Sequence, residues 1–202
     1  MKKMIVVFIY LLMVVFLNIS LSANDIYEDS YKANLNYNIA IESYAYKNYK
    51  KAFDKFQLAA KYGKANANFY LSACYEYGDG VKKNMKKALY YAEKGAKLGD
   101  RDSIDAFAQY YMNGKGGVKD YAKAISIYKK NEKKDLNALM GIGLMYYYGG
   151  HGIQQNKFKA YEYWLSCAKN TIKDKAPVSI DLPLRCEENL GILCGSSPWA
   201  CK

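Results

Sequence analysis

The chain has 202 residues and a net charge of +11 at pH 7. Lysine supplies nearly all of the positive charge, because Arg101 and Arg185 are the only arginines. A protein that binds nucleic acid would usually carry arginine forks or stacking aromatics on a basic face, so no nucleic-acid partner is expected. The basic surface fits an acidic partner, either a protein or an anionic envelope surface. Alternatively, it is a solvated lysine coat that keeps a tyrosine-rich chain soluble.

The first 23 residues have the composition of a secretory signal peptide. A basic start precedes an uncharged apolar stretch at residues 4–17, and small polar residues follow up to Ala23. Cleavage after Ala23 would leave 179 residues (202 minus 23) with a net charge of +9, because two lysines leave. We therefore expect a periplasmic or secreted protein with a polar leader at residues 24–32. A retained membrane anchor is the competing interpretation, since the apolar stretch is nearly long enough to span a bilayer.

One pattern then recurs with a period of 36 residues. A lysine–alanine pair stands at 51–52, 87–88, 123–124 and 159–160. An asparagine or aspartate lies three positions before each lysine, at Asn48, Asn84, Asp120 and Asn156. Apolar residues follow each alanine at helical spacing, and a second apolar stripe precedes the last three pairs, ending at Tyr75, Tyr111 and Tyr146. The pattern predicts two amphipathic helices in each repeat.

Glycines fill the connection between the two helices of the last three repeats. They stand at 78 and 80, at 114, 116 and 117, and at 149, 150 and 152. Glycine adopts a positive φ without steric cost, so each cluster predicts a tight loop. Neither helix can bury its apolar stripe alone. Successive pairs are therefore expected to stack into a right-handed superhelix.

The stretch from Ala67 to Ala88, A-x-x-x-L-x-x-x-Y-x-x-G-x-G-V-x-x-N-x-x-K-A, resembles the Sel1-like repeat, a longer-looped relative of the tetratricopeptide repeat. The resemblance covers about residues 65–170, although the third and fourth copies depart from the pattern around the loop glycines. Residues 33–64 lack the glycine loop and look more like an ordinary tetratricopeptide hairpin. The predicted fold is an all-α, right-handed α/α solenoid over residues 33–170. It has about four helix pairs, one tetratricopeptide-like and three Sel1-like, and a cysteine-rich cap at 171–202.

The five cysteines fall into two groups. Cys74 lies within a predicted apolar stripe, where a small core residue fits. The other four are in the last 36 residues and are candidates for disulfides in an exported chain: Cys167, Cys186, Cys194 and Cys201. Three pairings are possible, and the sequence does not choose among them. The spacing of Cys186 and Cys194 is similar to that in disulfide-bridged Sel1-like proteins, and a tail held by Cys167 would cover the last apolar face.

Catalytic and metal-binding patterns are weak. Two S-x-x-K matches, at Ser126–Lys129 and Ser166–Lys169, are about as many as chance gives, and no S-D-N or K-T-G element accompanies them. His151 is the only histidine and lies in a glycine loop without neighbouring ligands. No phosphate loop or dinucleotide fingerprint is present. The sequence therefore predicts no catalytic residue, no metal and no cofactor.

A binding surface is expected on the first helix of each repeat, which lines the concave side in this architecture. Candidate contact residues are those outside the core stripes: Asn66, Phe69, Tyr77, Asp105, Gln109, Met112, Met140, Leu144 and Tyr148. Tyrosine and methionine provide adaptable contact area at low entropic cost.

The sequence thus favours a non-enzymatic, exported module, expected to be monomeric, that holds a protein or peptide, with an acidic partner preferred. Resemblance to exported Sel1-like proteins suggests an envelope regulator or scaffold, or an immunity protein that neutralises a toxin. The alternative, also from resemblance, is a disulfide-rich protein that binds β-lactams or hydrolyses them weakly.

Overall fold

The structure, a computed structural model, describes residues 25–117, 119–130, 135–173, 188–189 and 191. These residues form eight helices of at least nine residues and no strand, which confirms the predicted all-α helical repeat fold. The helices are α1 (25–45), α2 (Tyr49–Lys61), α3 (Ala67–Tyr77), α4 (Met85–Lys97), α5 (Arg101–Asn113), α6 (Tyr121–Lys129), α7 (Leu136–Tyr148) and α8 (Lys157–Lys173). The predicted signal peptide and most of the predicted cap lie outside the described residues.

The chain divides into two compact units, Met1–Asn84 and Met85–Lys202. The N-terminal unit contains α1 to α3, and the C-terminal unit contains α4 to α8. Among the described residues, no helix combines the length and apolar character needed to cross a bilayer.

The predicted polar leader is helical in its described part, because α1 begins at residue 25. Lys32 Nζ lies 2.8 Å from Glu28 Oε2, an i,i+4 pair that supports a helical turn. The apolar residues of this segment did not predict a helix because they form no buried stripe. Tyr27 and Tyr31 are 73% and 60% exposed.

The recurring asparagine or aspartate caps the second helix of a repeat. The side chains of Asn48, Asp120 and Asn156 accept hydrogen bonds from the backbone N–H three residues later, at 3.4, 2.8 and 2.9 Å. An N-cap of this kind satisfies one of the unpaired amides of the first turn. The alanine that follows each lysine is fully buried in all four copies, Ala52, Ala88, Ala124 and Ala160. Cap and alanine together explain why these positions recur.

A second recurring contact closes the long loop. The N–H groups of Asn84, Asp120 and Asn156 donate to the carbonyls of Tyr75, Tyr111 and Tyr146, at 2.8, 2.9 and 2.8 Å. Each bond joins the end of the first helix to the start of the second. The loop of every Sel1-like copy therefore has the same closure, even where the glycine positions differ.

Two loop glycines are required for different reasons. Gly114 ends α5 with φ of +71°, and its N–H donates to the Tyr110 carbonyl, so a left-handed residue is needed there. Gly80 also has a positive φ, and a Cβ at this position would lie 2.2 Å from the Tyr49 carbonyl oxygen at the start of α2. The loop after α3 thus packs directly on the backbone of the preceding hairpin.

Aromatic side chains form the core of the N-terminal unit. Phe56 is fully buried and stacks on Tyr70 with centroids 4.6 Å apart. Tyr44 packs edge-on against Tyr70, and its hydroxyl donates to Asp79 Oδ2 at 2.6 Å. Burial raises the pKa of Tyr44 above its usual range, and the hydrogen bond to Asp79 raises it further. Cys74 is fully buried, which confirms its predicted place in the core.

In the C-terminal unit, α8 packs closely on α7. Trp164 is 1% exposed, and its Nε1–H donates to the Met140 carbonyl at 3.3 Å. A Cβ on Gly143 would lie 2.2 Å from that Nε1 atom, so only glycine admits the indole at this point. The buried carboxylate of Asp135 caps α7 and accepts two hydrogen bonds from Arg101 of α5, at 3.1 and 3.2 Å. This bidentate pair links successive repeats.

Candidate binding surfaces

The nine predicted contact residues are not equivalent. In α3 and the turn before it, Asn66 and Phe69 are half-buried, and the Phe69 ring packs edge-on against Tyr70. The Oδ1 atom of Asn66 is buried without a hydrogen-bond partner among the described residues. Tyr77, by contrast, is 68% exposed. Of these three, Tyr77 offers the largest free surface.

Two of the three predicted residues of α5 already form hydrogen bonds within the described part of the chain. Asp105 accepts hydrogen bonds from the Tyr128 hydroxyl at 2.6 Å and from Gln109 Nε2 at 3.0 Å. Burial is the main cause that raises the pKa of Asp105, although both hydrogen bonds act in the opposite direction. Met112 is half-buried. Asp105 therefore joins α5 to α6, a role that its position on the predicted concave face did not reveal.

In α7, two of the three predicted residues contribute to core packing. Met140 packs on the buried cluster that includes Leu139, and Leu144 packs against Trp164. Tyr148 is 67% exposed, and its ring meets Tyr147 edge-on at 5.1 Å. Tyr77 and Tyr148 are thus the exposed aromatic members of the predicted set, and Gln109 of α5 is its third exposed member.

These two tyrosines occupy equivalent places in their repeats. Each is the last residue of a first helix, two positions after the tyrosine whose carbonyl closes the loop. Asn113 stands at the equivalent position in α5 and is exposed as well. An exposed aromatic ring at a fixed place in two repeats is a suitable anchor for a partner.

A groove that the sequence did not predict lies in the C-terminal unit. It is a cavity of about 350 Å³ between α6, α7 and α8. Its lining residues are Lys129, Leu139, Tyr146, Lys159, Glu162, Tyr163, Ser166 and Asn170. The α8 members follow helical spacing and therefore share one face of that helix. We call this cavity the α6–α8 groove.

The wall of the α6–α8 groove combines rings and charges. Tyr146 stacks on Tyr163 with centroids 5.9 Å apart and an interplanar angle of 15°. Lys159 Nζ lies 5.2 Å from the centroid of the Tyr146 ring. A second cavity of about 380 Å³ adjoins the first and shares Tyr146 and Lys159 with it. Amphipathic rings beside a cation suit a ligand that is partly apolar and partly anionic.

The residues considered for catalysis are placed as follows. The Ser126 hydroxyl donates to the Lys123 carbonyl of its own helix at 2.8 Å. Ser166 lines the α6–α8 groove with Lys129, whereas Lys169 is exposed and does not line it.

The sole histidine belongs to a loop contact. His151 is exposed, its ring meets Tyr121 edge-on at 5.0 Å, and its carbonyl accepts the Tyr121 N–H. The described residues contain no group of three histidine, cysteine or carboxylate side chains arranged to hold a metal.

Helix pairs with a common cap, a common loop closure and exposed ring positions define an α-helical repeat protein. The Sel1 repeat model matches residues 65–100, 106–130 and 136–170. The chain is therefore a Sel1 repeat protein with three such repeats, as its sequence predicted. Residues 33–64, predicted to differ from the other hairpins, lie outside the matched segments.

Solved bacterial structures share this fold. A Sel1 repeat protein from Oxalobacter formigenes is 22% identical, with a TM-score of 0.59 over 79% of this chain and 72% of that one. The protein c5321, a protective antigen of uropathogenic Escherichia coli with an SLR fold, is 23% identical, with a TM-score of 0.54 over 74% and 34%. A putative Sel1 repeat protein from Klebsiella pneumoniae is 20% identical, with a TM-score of 0.51 over 84% and 89%. At these identities the likeness concerns the fold alone. No curated protein matches the sequence.

Proposed function

We propose that this protein is an exported protein-interaction module whose first helices hold a protein or peptide. Sel1 repeat proteins are generally protein–protein interaction modules, and the fold is typically a non-enzymatic scaffold. The observation that carries the proposal for this chain is the pair of exposed, equivalently placed rings of Tyr77 and Tyr148. Rings of this kind gain contact area on binding and lose little conformational entropy.

The partner is proposed to be acidic, because the chain carries a net charge of +11, or +9 after loss of the two lysines of the proposed signal peptide, and would attract a negatively charged protein over a long range. An envelope regulator or scaffold meets this description, and so does an immunity protein that neutralises an acidic toxin. The two roles differ in the partner that would be recovered, either a resident envelope protein or a toxin.

Affinity capture from the envelope fraction tests the binding surface. The tagged protein is compared with Tyr77→Glu and Tyr148→Glu, and we expect the variants to lose one dominant partner that the wild type retains. Tyr90→Glu is the matched control, because Tyr90 is 57% exposed on a second helix and meets its neighbour Tyr91 edge-on at 5.2 Å. Equal loss in all three variants would show that added negative charge, rather than this surface, abolishes binding.

The recovered partner would then be purified and titrated against each variant by calorimetry. A ring buried at an interface centre contributes about 2 kcal/mol or more, so its loss should raise the dissociation constant about 30-fold or more. An unchanged dissociation constant in both variants would refute the proposed surface.

Export is tested by the N-terminus of the protein as isolated from cells. Cleavage of the proposed signal peptide would give a chain that begins at Asn24 and is recovered from the periplasm or the medium. A chain that still begins at Met1 and sediments with membranes would establish the retained anchor instead.

The enzymatic alternative is supported by one observation, the presence of Ser166 in a groove with Lys129 and Lys159. Turnover of a chromogenic β-lactam, abolished in Ser166→Ala, would establish it. Ser126→Ala provides the control, because that hydroxyl bonds to its own helix.

A further inference from the structure

The α6–α8 groove is a candidate for a second binding surface, separate from the exposed tyrosines of the first helices. Five of its eight lining residues come from one face of α8, and Lys129 of α6 stands across the cavity. Another face of α8 carries the buried Ala160 and Trp164, against which Leu144 and Tyr147 of α7 pack. The groove therefore presents a face of α8 that the described helices leave open.

The position of Tyr163 shows how this face differs from its counterpart one repeat earlier. Ile127 stands 36 residues before Tyr163, at the equivalent place in α6, and is only 8% exposed. Tyr163 is half-buried and lines the groove. A position that is buried and aliphatic in one repeat is thus half-buried and amphipathic in the next. A tyrosine in such a place suits an interface that is apolar on one side and in contact with water on the other.

The charges of the groove indicate the chemistry of the occupant. Lys129 and Lys159 are exposed, and neither has a carboxylate within 4.0 Å among the described residues. Glu162 is the one carboxylate in the lining, so the lining side chains have an excess of one positive charge. Tyr146, Tyr163 and Leu139 supply the apolar floor and wall.

We propose that the α6–α8 groove binds an acidic peptide segment of a partner protein that combines a carboxylate with an aromatic or aliphatic side chain. The carboxylate is held between Lys129 and Lys159, and the apolar side chain packs on the Tyr146–Tyr163 stack. The inference rests on the proposed function only in taking the ligand to be part of a protein.

The test uses the full chain and a fluorescently labelled copolymer of glutamate and tyrosine, with polyglutamate and a lysine–tyrosine copolymer as comparison probes. Binding is followed by anisotropy at about 0.15 M salt, where contacts between distant surface charges are screened. The glutamate–tyrosine probe should bind the wild type more tightly than either comparison probe. The double variant K129A/K159A should lose roughly three- to tenfold in affinity, as two exposed charge contacts together allow.

Two controls separate the groove from the net charge of the protein. The variant K82A/K83A removes the same charge from two exposed lysines of the N-terminal unit and should bind as the wild type does. Glu162→Gln removes the negative charge of the groove and should strengthen binding. Tyr163→Ala should reduce the preference for the tyrosine-containing probe over polyglutamate.

Equal losses in K129A/K159A and K82A/K83A would overturn the proposal in favour of general charge attraction. Absence of binding, or preference for polyglutamate in both wild type and Tyr163→Ala, would also overturn it. The Tyr77 and Tyr148 variants leave the groove intact, so the proposed function and this inference fail separately.

Discussion

The contact between Gly143 and Trp164 provides the sharpest test of the packing in the C-terminal unit. Replacing glycine with alanine inside a helix normally stabilises a protein by up to about 1 kcal/mol. Here the new Cβ would lie 2.2 Å from Trp164 Nε1 and 2.4 Å from Cδ1. The indole is 1% exposed and bonded to the Met140 carbonyl, so it cannot move aside freely.

Gly143→Ala is therefore expected to destabilise the protein. Overpacking a close-packed core costs about 1–3 kcal/mol. The severe approach to a side chain that cannot move aside places this variant in the upper part of that range, about 2–3 kcal/mol. Subtracting a helix-propensity gain of about 1 kcal/mol leaves a net loss of about 1–2 kcal/mol. For a chain of this size such a loss lowers the Tm by about 2–8 °C. Thermal unfolding followed by circular dichroism at 222 nm measures the shift.

Two further variants isolate the cause. Gly141→Ala places its Cβ 2.9 Å from Tyr128 Cε2, a milder approach, and should cost less than Gly143→Ala. In a Trp164→Phe background, which removes the indole nitrogen but keeps a ring carbon at Cδ1, Gly143→Ala should lose part of its penalty, giving a coupling free energy of about 0.5–1 kcal/mol. A Tm that rises in Gly143→Ala, or a penalty unchanged by Trp164→Phe, would refute the packing argument.

Three other predictions concern the loop, a buried carboxyl and the cysteines. Gly80→Ala should lower the free energy of unfolding by about 2 kcal/mol or more in chemical denaturation, because its Cβ would meet the backbone of α2. Gly63→Ala should lower it by only about 1 kcal/mol, since its Cβ would find open space and only the positive φ is unfavourable. Burial raises the pKa of Asp105 in the folded state, so ionising this carboxyl lowers the stability of the wild type as the pH rises above the pKa of the unfolded state. The free energy of unfolding of Asp105→Asn, measured relative to that of the wild type, should therefore be higher at pH 7 than at pH 3.5. Burial also raises the pKa of the Cys74 thiol to about 12, so it should not react with Ellman's reagent at pH 8 until the protein unfolds.

Each of these measurements has an outcome that contradicts its reasoning. Equal losses for the two loop glycines would show that the predicted backbone contact is absent. A stability difference between Asp105→Asn and wild type that does not change with pH would show that the carboxyl titrates normally. Thiol titration of the unfolded, unreduced chain further tests the predicted disulfides, because one reactive thiol agrees with two bridges and five thiols would exclude them.

Much of the fold could be predicted because the recurring positions serve contacts within one hairpin. The caps of α2, α6 and α8 and the fully buried alanines occupy the same place in each repeat, so a single sequence contains several copies of the same structural information. The link between Arg101 and Asp135 has no such copy. This ion pair depends on how two successive repeats pack together, and the period of the sequence gives no information about such contacts.

The candidate contact residues were harder to assign, because exposure depends on rotation about the helix axis. Successive residues of a helix point about 100° apart, so a small error in the assumed face exchanges exposed and packed positions. Tyr77 and Tyr148 are exposed as the prediction requires, whereas Leu144 packs against Trp164. Asp105 bonds to Tyr128, a contact between helices whose sequence separation has no typical spacing.

A binding surface that belongs to one repeat alone is therefore expected to include positions that do not recur. A residue that packs one helix against the next must be similar in every copy, as the buried alanines are. A residue that contacts a partner can differ from copy to copy. Ile127 and Tyr163 show this difference, since the residue is buried in the third repeat and lines the groove in the fourth, whereas the second repeat has a half-buried Tyr91 at this place. Lys129 and Glu162 likewise have no counterparts of the same type 36 residues away. These departures from the repeat, together with the recurring Lys159, distinguish the α6–α8 groove from the same face of the preceding repeat.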